Sequence, residues 1–542
     1  MDYNFDLGVE DTKRFVRETR TFTVGDQLRK SARMWPDQVA ISEPGRELTF
    51  AELDDRTDRL AVGILSAGYE PNKSTIAVLA ENRRETVELL LACAKIGILV
   101  APLNWRLNRD ELVHCVDLVE PRGLVVSDRF VDRLSWIESD CDTTPKVIKY
   151  DSQIKGSFSE LLSAGKSSES APDVSVNPEQ GFVVLNTSGT TGLPKGVVIS
   201  HRAEIARAVQ VTIDYGLNRG DSYPGWPPMF HMGGIEWVVV TTYLGGTFYP
   251  IDGFDPEQIL DVVLESSDPI SWLYLVPGTI EPFVELFKRR NLDQEHLPTI
   301  RAMAALPDLI DPSLISETME LFDAPFQNTY GASETGHVMS GSKLPVGTPP
   351  SDVEFSKTES PLVEIKLIDE DWTEVENRGE LAVRGPALCS GYVDAPLVNE
   401  EDFQDGWFRT GDIFTRQQDG TYNFVSRRKY LIKSGGENIY PTELETPITK
   451  LDAVNEVVVV KAPDEKWGEV PRMFVEIADI ADLDEMRSEI LSRLEGQVAR
   501  YKLPHYIEFC DPGSLPRSTS GKIARSDLED NDPDMSTRVR SP

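Results

Sequence analysis

The chain has few cysteines, little positive charge and no long apolar run, and each of these shortages excludes a class of function. Its five cysteines are odd in number and far apart, which fits neither a disulfide framework nor a zinc site. Its six histidines form no HxxxH or HxxH pair, which argues against a histidine-built metal centre. We therefore expect reduced cysteines that mostly pack in the interior.

Positive charge is scarce because 55 Lys and Arg residues stand against 90 Asp and Glu residues, a formal net charge of −35. Nucleic acid and anionic lipid both require a cationic surface, so we exclude them as main partners. Two interpretations of the acidity stay open. One is an organism rich in salt, which screens self-repulsion, and the other is an ordinary acidic cytosolic protein with an acidic tail.

Neither a secretory signal nor an integral membrane segment is indicated. The first residues, MDYNFDLGVEDTK, lack a basic start and an apolar stretch, and no later apolar run is long enough to cross a bilayer. We therefore expect a cytoplasmic protein. The sequence leaves open whether it forms a homo-oligomer.

The length of 542 residues exceeds what a single hydrophobic core normally reaches, so at least two domains are expected. Helical and apolar strand-like segments alternate through the first several hundred residues, which is typical of α/β layers. A boundary is predicted near residues 427–433, after the compact WFRTGD and DGTYNF segments. We predict an α/β fold with a large N-terminal domain, 1–428, and a small α+β domain, 429–542.

The small domain is predicted from three segments. VNEVVVVK and VPRMFVEI have the composition of strands, and Leu483, Met486, Ile490 and Leu494 then form one apolar face of a helix. The last segment, SDLEDNDPDMSTRVRSP, is polar and without periodicity, which predicts a disordered tail from about residue 528.

The strongest local motif is TSGTTGLPKG, at residues 187–196. Its three glycines, four hydroxyl side chains and one lysine can present backbone N–H groups, hydroxyls and an ammonium to a polyphosphate. It is not a Walker A loop, because Pro194 stands where that motif has glycine. Composition alone leaves two interpretations open, a phosphate-binding loop or a Gly/Ser-rich turn between a strand and a helix.

Five motifs in order make the chain resemble the adenylate-forming superfamily of acyl-CoA synthetases, firefly-type luciferases and peptide-synthetase adenylation domains. They are TSGTTGLPKG, YGASETG at 330–336, TGD at 410–412, SRRKYLIKSGGENIYPTELE and PRSTSGKIAR. The resemblance implies an ATP-dependent ligase that converts a small carboxylic acid into an acyl-AMP and then into an acyl-CoA thioester. It implies ATP, Mg²⁺ and coenzyme A as the small molecules that the chain binds.

The resemblance also implies which residues bind the nucleotide. Attack of a carboxylate on the α-phosphate brings two anions together, so cations and aligned donors are needed. Lys195 and the loop hydroxyls would hold the β- and γ-phosphates, Glu334 would hold Mg²⁺, and Asp412 would accept both ribose hydroxyls. Tyr330 would stack on adenine. The implied nucleotide set is Thr187, Ser188, Gly189, Thr190, Thr191, Gly192, Lys195, Tyr330, Gly331, Ser333, Glu334, Asp412, Arg427 and Lys522, and the catalytic candidates are Lys522, Lys195, Glu334 and His231.

Each of these side chains taken alone also fits an ordinary structural role. Glu334 fits a solvated loop acid, Asp412 a turn-capping aspartate after a glycine, and Tyr330 a packing tyrosine. Their joint occurrence in the order of the superfamily favours the nucleotide-binding interpretation.

The resemblance also implies that the large domain consists of several sheets with flanking helices and that the small domain is mobile. It assigns the remaining steps to the small domain. Lys522 would enter the first active conformation, and the domain would then rotate about the hinge residue Lys429. Gly435 and Gly436 would border the narrow pantetheine passage, where a side chain would obstruct entry. Two further candidates for CoA binding are Trp467 and Lys502, although Trp467 equally fits an aromatic residue on a domain surface.

The acyl pocket is implied by the segment PPMFHMGG and by the residues after Tyr330. His231 resembles the aromatic gate beside the bound carboxylate, and it also fits a hydrogen-bonded core histidine. An apolar, partly aromatic pocket does not distinguish short-, medium- or long-chain acids from aryl acids. The other pocket candidates are Ile235, Trp237, Val240, Ala332 and His337.

Two rival interpretations stay open. One is an adenylating enzyme with a carrier protein or a luciferase-like acceptor step, and the other is a nucleotide-binding protein without turnover. The segments SGGENIYPTELE and DEKWGEVP look most like acyl-CoA ligases, which favours free CoA. The joint presence of the charged candidates, Lys195, Glu334, Asp412, Arg427 and Lys522, argues against loss of turnover.

Overall fold

A computed structural model describes most of the chain and shows a mixed α/β architecture with several sheets, as the sequence predicts. The described residues are 22–150, 156–165, 172–187, 193–275, 279–304, 310–434, 437–451, 453–464, 466–477, 483–495, 497–517, 523–531 and 533–539.

The α-helices of the described residues are α1 (Val24–Met34), α2 (Phe50–Ser66), α3 (Arg84–Ile96), α4 (Arg109–Val119), α5 (Leu134–Asp140), α6 (Phe158–Ala164), α7 (His201–Asp214), α8 (Met232–Leu244), α9 (Pro256–Glu265), α10 (Ile280–Arg289), α11 (Pro312–Phe322), α12 (Pro396–Asp402), α13 (Pro441–Ile448), α14 (Leu483–Leu494) and α15 (Arg525–Glu529). Short 3₁₀ turns cover Asp128–Arg133, Gln294–His296, Pro350–Asp352, Arg428–Tyr430, Arg500–Lys502 and Met535–Thr537.

The strands are β1 (Val39–Glu43), β2 (Arg46–Thr49), β3 (Thr75–Leu79), β4 (Leu99–Pro102), β5 (Gly123–Val126), β6 (Lys146–Lys149), β7 (Gly181–Thr187), β8 (Lys195–Ser200), β9 (Tyr223–Gly225), β10 (Phe248–Pro250), β11 (Leu273–Tyr274), β12 (Met303–Ala304), β13 (Thr329–Ala332), β14 (Gly336–Ser340), β15 (Thr358–Glu359), β16 (Glu364–Ile368), β17 (Arg378–Arg384), β18 (Phe403–Gln404), β19 (Trp407–Arg416), β20 (Tyr422–Arg427), β21 (Ile432–Ser434), β22 (Glu437–Ile439), β23 (Val454–Asp464), β24 (Gly468–Ile477) and β25 (Tyr506–Cys510).

A six-stranded sheet, in the order β6-β5-β3-β4-β7-β8, flanks the predicted phosphate loop. The strands from β6 to β7 pair in parallel, and β8 runs antiparallel to β7 at the edge. The parallel strands are continuous apolar runs, such as TIAVL and GLVV, because helices cover both faces of such a sheet. Helices α3 and α4 form the crossovers between β3, β4 and β5.

The other sheets are smaller. A four-stranded sheet has the order β2-β1-β10-β9, β11 pairs with β12, and β13-β14-β15 form a three-stranded sheet. One five-stranded sheet has the order β16-β17-β19-β18 with β20 beside β19. The other has the order β22-β21-β24-β23 with β25 beside β24.

The chain divides into a larger and a smaller compact unit. The larger comprises residues 1–365 and 383–408, and the smaller comprises 366–382 and 409–542. A large and a small part agree with the predicted fold class. The predicted boundary between residues 428 and 429 stays a prediction.

The core of the smaller unit contains the predicted strands and helix. β23 and β24 pair antiparallel, and Met486, Ile490 and Leu494 of α14 are buried against them. Leu483 was predicted on the same face, but it is 43% exposed because it is the first residue of the helix.

A buried arginine binds the backbone of residues near the end of the described chain, while the disorder predicted from about residue 528 stays a prediction. Nη1 of Arg472 donates to the carbonyl oxygens of Leu528 (3.2 Å) and Asn531 (2.6 Å). The N–H of Val539 donates to the carbonyl oxygen of His505 (2.9 Å). Composition alone does not indicate such long-range contacts.

Two general features bear on the cysteine and membrane predictions. All five cysteines are free thiols, and Cys93, Cys115 and Cys389 are buried. Within the described ranges, no helix has both the length and the apolar character that crossing a membrane requires.

Candidate active site

The two ends of the predicted phosphate loop face each other across β7 and β8. Thr187 is the last residue of β7, Lys195 is the first residue of β8, and the two are paired in register. Nε2 of His114 hydrogen-bonds the carbonyl oxygen of Pro194 (2.9 Å), which fixes the loop end further. The candidates between these ends, Ser188, Gly189, Thr190, Thr191 and Gly192, lie outside the described residues.

Glu334 lies in the turn of the β13–β14 hairpin, four residues after Tyr330. The hairpin requires two glycines. A Cβ on Gly331 would lie 2.4 Å from the carbonyl oxygen of Gly336, and Gly336 itself has a φ of +65°. The motif YGASETG is therefore a tight hairpin that presents the Glu334 side chain at its turn.

A third segment, residues 389–393, connects β8 to this hairpin. The N–H of Ser390 donates to the carbonyl oxygen of Val198 (2.8 Å), and the N–H of Cys389 donates to that of Glu334 (2.8 Å). The segment also forms an antiparallel bridge between Tyr392 and Val197. Tyr392 is therefore held between the phosphate-loop strand and the hairpin turn.

Tyr392 contacts two of the predicted catalytic residues. Its O–H donates to Oε1 of Glu334 (3.0 Å), and Nζ of Lys195 lies 5.1 Å from the centre of its ring. Burial raises the pKa of the Tyr392 phenol, and the Glu334 carboxylate raises it further, so that the hydroxyl stays protonated and donates. The structure thus brings Lys195 and Glu334 to one tyrosine that the sequence analysis did not single out.

Arg207 on α7 is a second functional candidate that the sequence analysis missed. Its side chain is fully buried, and it donates from Nε to the carbonyl oxygen of Ala387 and from Nη2 to that of Ser333, both at 3.0 Å. It therefore links the hairpin turn that carries Glu334 to the segment that leads to Tyr392. A charged residue on a helix usually indicates a solvated face, so the sequence contains no local signal for this role.

Two buried carboxyl groups, Glu204 on α7 and Glu236 on α8, belong to the same electrostatic cluster. Burial, reinforced by the neighbouring Glu236, raises the pKa of Glu204 to about 8, while Arg207 opposes the rise. Burial also raises the pKa of Glu236. The cluster is therefore protonated in part at neutral pH, which limits the charge that is buried beside Arg207.

Two of the predicted pocket residues, Trp237 of α8 and His337 of β14, lie in one cluster of aromatic side chains. The ring of Trp237 stacks on Tyr223 (4.5 Å between centres) and lies 5.0 Å from Trp272. His337 reaches the cluster through Tyr215, whose ring centre lies 5.3 Å away.

The remaining pocket candidates lie on the same helix and hairpin. Ile235 and Val240 are buried on α8, and Ala332 is half-buried at the end of β13. His231 precedes α8 and is half-buried, with its ring centre 4.6 Å from that of Phe230.

In the smaller unit, Asp412 and Arg427 lie opposite each other across β19 and β20. Nε of Arg427 is 3.2 Å from Oδ1 of Asp412, and the arginine side chain is 46% exposed. A buried ion pair holds the TGD segment, which lies inside strand β19, because the Glu380 carboxylate accepts from Arg409 (2.6 Å) and from the N–H of Gly411 (2.9 Å). Strands β19 and β20 thus hold the predicted ribose ligand Asp412 beside Arg427, another member of the predicted nucleotide set.

The other predicted residues of the smaller unit differ in exposure and in the side chains that they contact. Lys429 is exposed, with Nζ 4.9 Å from the ring centre of Tyr430. Trp467 is 40% exposed, and Lys502 donates to the Glu443 carboxylate. Gly435, Gly436 and Lys522 lie outside the described residues.

Lys522 lies outside the described residues, but the residues on either side of it make contacts within the smaller unit. Arg517 and Ile523 form an antiparallel bridge. Nη1 of Arg525, three residues after Lys522, donates to the Glu445 carboxylate (2.7 Å), and its guanidinium lies 5.0 Å from the ring centre of Tyr430. The smaller unit therefore holds both ends of this segment in place.

The comparison with known families agrees with the five motifs. The profile of the AMP-binding enzyme family matches residues 28–393, and that of the AMP-binding enzyme C-terminal domain matches residues 443–522. The chain belongs to the AMP-binding enzyme family. The predicted resemblance to adenylate-forming enzymes is thereby confirmed.

Curated and solved relatives of this AMP-binding enzyme extend over almost its whole length. It is 31% identical to an indoleacetate–CoA ligase of Aromatoleum aromaticum, over 93% of this chain and 97% of that protein. It is 30% identical to a 2-succinylbenzoate–CoA ligase of Listeria monocytogenes, over 93% and 98%. It also matches the structure of o-succinylbenzoate CoA synthetase from Bacillus subtilis with its acyl-adenylate intermediate, with a TM-score of 0.75 and 25% identity over 94% and 98% of the two chains.

Proposed function

We propose that this AMP-binding enzyme converts an aromatic carboxylic acid into an acyl-AMP and then transfers the acyl group to CoA. The observation that supports this most is the cluster of Lys195, Tyr392 and Glu334 beside the phosphate loop. It combines an ammonium for phosphates with a carboxylate for a metal ion. The cluster lies in a chain that aligns over 93% of its length with CoA ligases.

In the first half-reaction, a carboxylate oxygen of the substrate forms a bond to the α-phosphorus of ATP. The bond between the α-phosphorus and the oxygen that joins the α- and β-phosphates breaks, and pyrophosphate leaves. Lys195 would neutralise charge on the β- and γ-phosphates, and Lys522 would neutralise charge between the acid and the α-phosphate. Asp412 would hold the ribose, and Arg427 would support the same ribose or a phosphate.

Glu334 would hold Mg²⁺. A hard cation prefers carboxylate and phosphate oxygens, and Tyr392 engages only one carboxylate oxygen, Oε1. In the part of the chain that the structure describes, no group of three or more His, Cys, Asp or Glu side chains is arranged to hold a metal ion. Phosphate oxygens of ATP would supply further ligands to the ion beside Glu334. The bound ion would neutralise phosphate charge.

In the second half-reaction, the CoA sulfur attacks the acyl carbonyl carbon and AMP leaves. The small domain would rotate about Lys429 between the two half-reactions, and Gly435, Gly436, Trp467 and Lys502 would contact CoA. These roles follow from the family motifs. The attached ends of the Lys522 segment support a lysine that moves together with the smaller unit.

The aromatic cluster around Trp237 supports an aryl acid. Aromatic rings favour stacked and edge-on contacts with other rings, and Tyr223, Trp272 and Tyr215 surround this tryptophan. The acids named for the two curated relatives, indoleacetate and 2-succinylbenzoate, both carry an aromatic ring.

Matched acids test both parts of the proposal. The protein is incubated with ATP, Mg²⁺, CoA and either phenylacetate or its saturated counterpart cyclohexylacetate, and acyl-AMP and acyl-CoA are quantified by mass spectrometry. We expect acyl-CoA from phenylacetate at a rate at least about tenfold higher, the discrimination that one well-matched apolar contact provides. Faster conversion of the saturated acid contradicts the aryl assignment. Acyl-AMP without thioester contradicts CoA as the acceptor.

A further inference from the structure

Tyr392 links the lysine and the carboxylate on which the proposed chemistry depends. Its side chain is 8% exposed, its O–H donates to Oε1 of Glu334 (3.0 Å), and Nζ of Lys195 lies 5.1 Å from its ring centre. The hydroxyl and the ring therefore contact different partners. Their effects can be separated by substitution.

We propose that Tyr392 is a positioning residue that fixes the Glu334 carboxylate for the metal–nucleotide complex and holds Lys195 toward the phosphates. The proposal rests on the proposed function. A carboxylate in a hairpin turn otherwise rotates between several orientations, and a hydrogen bond from a buried phenol selects one of them. Fixing a ligand before binding lowers the entropic cost of binding.

The backbone of Tyr392 is itself fixed at two points by one side chain. Oδ1 of Asn399 accepts from the N–H of Tyr392 (2.8 Å), and Nδ2 of Asn399 donates to the Tyr392 carbonyl oxygen (2.9 Å). The bridge to Val197 attaches the same residue to β8. Asn399 and the pairing with β8, in which Gly391 and Val393 provide the hydrogen bonds, therefore give the Tyr392 side chain a defined starting position.

The partner of the hydroxyl is fixed by a second set of contacts. The Glu334 carbonyl oxygen accepts from the N–H of Cys389 (2.8 Å), and Arg207 holds the adjacent Ser333 carbonyl oxygen (3.0 Å). The hydrogen bond between Tyr392 and Glu334 therefore joins two rigid segments. It sets the direction of the carboxylate rather than the position of the backbone.

The test is ATP binding without any acid, measured by calorimetry in Mg²⁺ and again in EDTA. Tyr392→Phe removes the hydroxyl but keeps the ring. We expect the Kd in Mg²⁺ to rise about tenfold, the typical effect of losing one hydrogen bond to a charged group, with the Kd in EDTA unchanged. The matched control is Tyr150→Phe, which removes a buried hydroxyl 3.2 Å from Thr86 Oγ1, and it should leave both values unchanged.

Two further variants separate positioning from a merely structural role. In a Glu334→Gln background, Tyr392→Phe should cause no further loss of Mg²⁺-dependent affinity, because the two changes act through the same carboxylate. Tyr392→Leu should also weaken ATP binding in EDTA, because it removes the ring beside Lys195. If Tyr392→Phe does not fold, Asn399→Ala serves instead, with the same Mg²⁺-selective loss expected.

Three outcomes overturn the inference: an unchanged Mg²⁺-dependent Kd in Tyr392→Phe, an equal loss with and without Mg²⁺, or full additivity with Glu334→Gln. A wild-type protein whose ATP affinity does not respond to Mg²⁺ overturns the proposed metal role of Glu334 and the inference together. A normal wild-type response with an unaffected Tyr392→Phe overturns only the inference.

Discussion

Arg207 donates a hydrogen bond of 3.0 Å to the carbonyl oxygen of Ser333, the residue directly before Glu334. The arginine is fully buried, and its second hydrogen bond goes to the carbonyl oxygen of Ala387. A buried guanidinium therefore holds the hairpin turn that carries the proposed metal ligand. The same buried side chain therefore contributes to the stability of the larger unit and to the position of Glu334.

Arg207→Met should destabilise the protein by about 2–5 kcal/mol, because it leaves the buried carbonyl oxygens of Ser333 and Ala387 without their charged hydrogen-bond donor. Urea unfolding followed by tryptophan fluorescence measures the change. Arg46→Met, at an exposed arginine of β2, is the control and should change the free energy of unfolding by less than about 0.5 kcal/mol. Equal stability of the two variants would show that Arg207 is not structurally required.

Glu204 should make stability depend on pH with an unusual sign. Its pKa is raised from 4.5 to about 8 in the folded protein, so the folded state retains a proton that the unfolded chain loses as the pH rises above 4.5. Because the folded state then binds more protons, this group lowers stability progressively as the pH rises from 4.5 to 8. Glu204→Gln should gain stability relative to wild type across that window.

The measurement is urea unfolding at pH 5, pH 6.5 and pH 8, a range of about three units that spans the expected window. Glu281→Gln, at an exposed glutamate near the start of α10, serves as the control. Parallel stability curves for wild type and Glu204→Gln would contradict the elevated pKa.

Asp412→Asn should weaken AMP binding by about tenfold to a hundredfold, because the neutral amide replaces the carboxylate that is proposed to accept from the ribose hydroxyls. Binding of AMP alone, measured by calorimetry, avoids any dependence on the acid substrate. Asp419→Asn changes an exposed aspartate in the turn between β19 and β20 and should leave AMP binding unchanged. Equal Kd values for both variants and wild type would contradict the assignment of Asp412 to the nucleotide site.

Lys522→Ala should abolish adenylation, with a loss of at least about a hundredfold in pyrophosphate release, while the far-ultraviolet circular dichroism spectrum stays unchanged. The reason is that an ammonium in contact with the reacting phosphate stabilises charge that develops in the transition state. Lys450→Ala, at an exposed lysine of the smaller unit, is the control and should retain full activity. Near-normal pyrophosphate release by Lys522→Ala would count against the assignment.

The fold class and the location of the phosphate loop could be predicted because both depend on local sequence patterns. The apolar runs of β3 and β5 require a sheet that is covered on both faces, and Thr187 and Lys195 flank a glycine-rich loop in the sequence itself. Asp412 and Arg427 also belong to recognisable motifs. The structure adds that they lie opposite each other in register.

The support of the site could not be predicted, because it depends on long-range contacts that oppose the local pattern. Glu204 and Arg207 are three residues apart on α7, a spacing typical of a solvent-facing polar stripe, yet they are 1% and 0% exposed. Ile213 on the same helix is 56% exposed instead. Tyr392 contacts Glu334 across 58 residues, through a segment whose position depends on its pairing with β8.

The exchange of labelled pyrophosphate into ATP tests acyl-AMP formation most directly, because exchange requires the adenylate to form reversibly. The measurement uses the full chain with ATP, Mg²⁺ and a panel of aryl and alkyl acids, without CoA. We predict that label enters ATP only when an acid is present, that aryl acids support the fastest exchange, and that Lys522→Ala shows none. A protein that binds ATP but exchanges no label with any acid of the panel would contradict the proposed reaction.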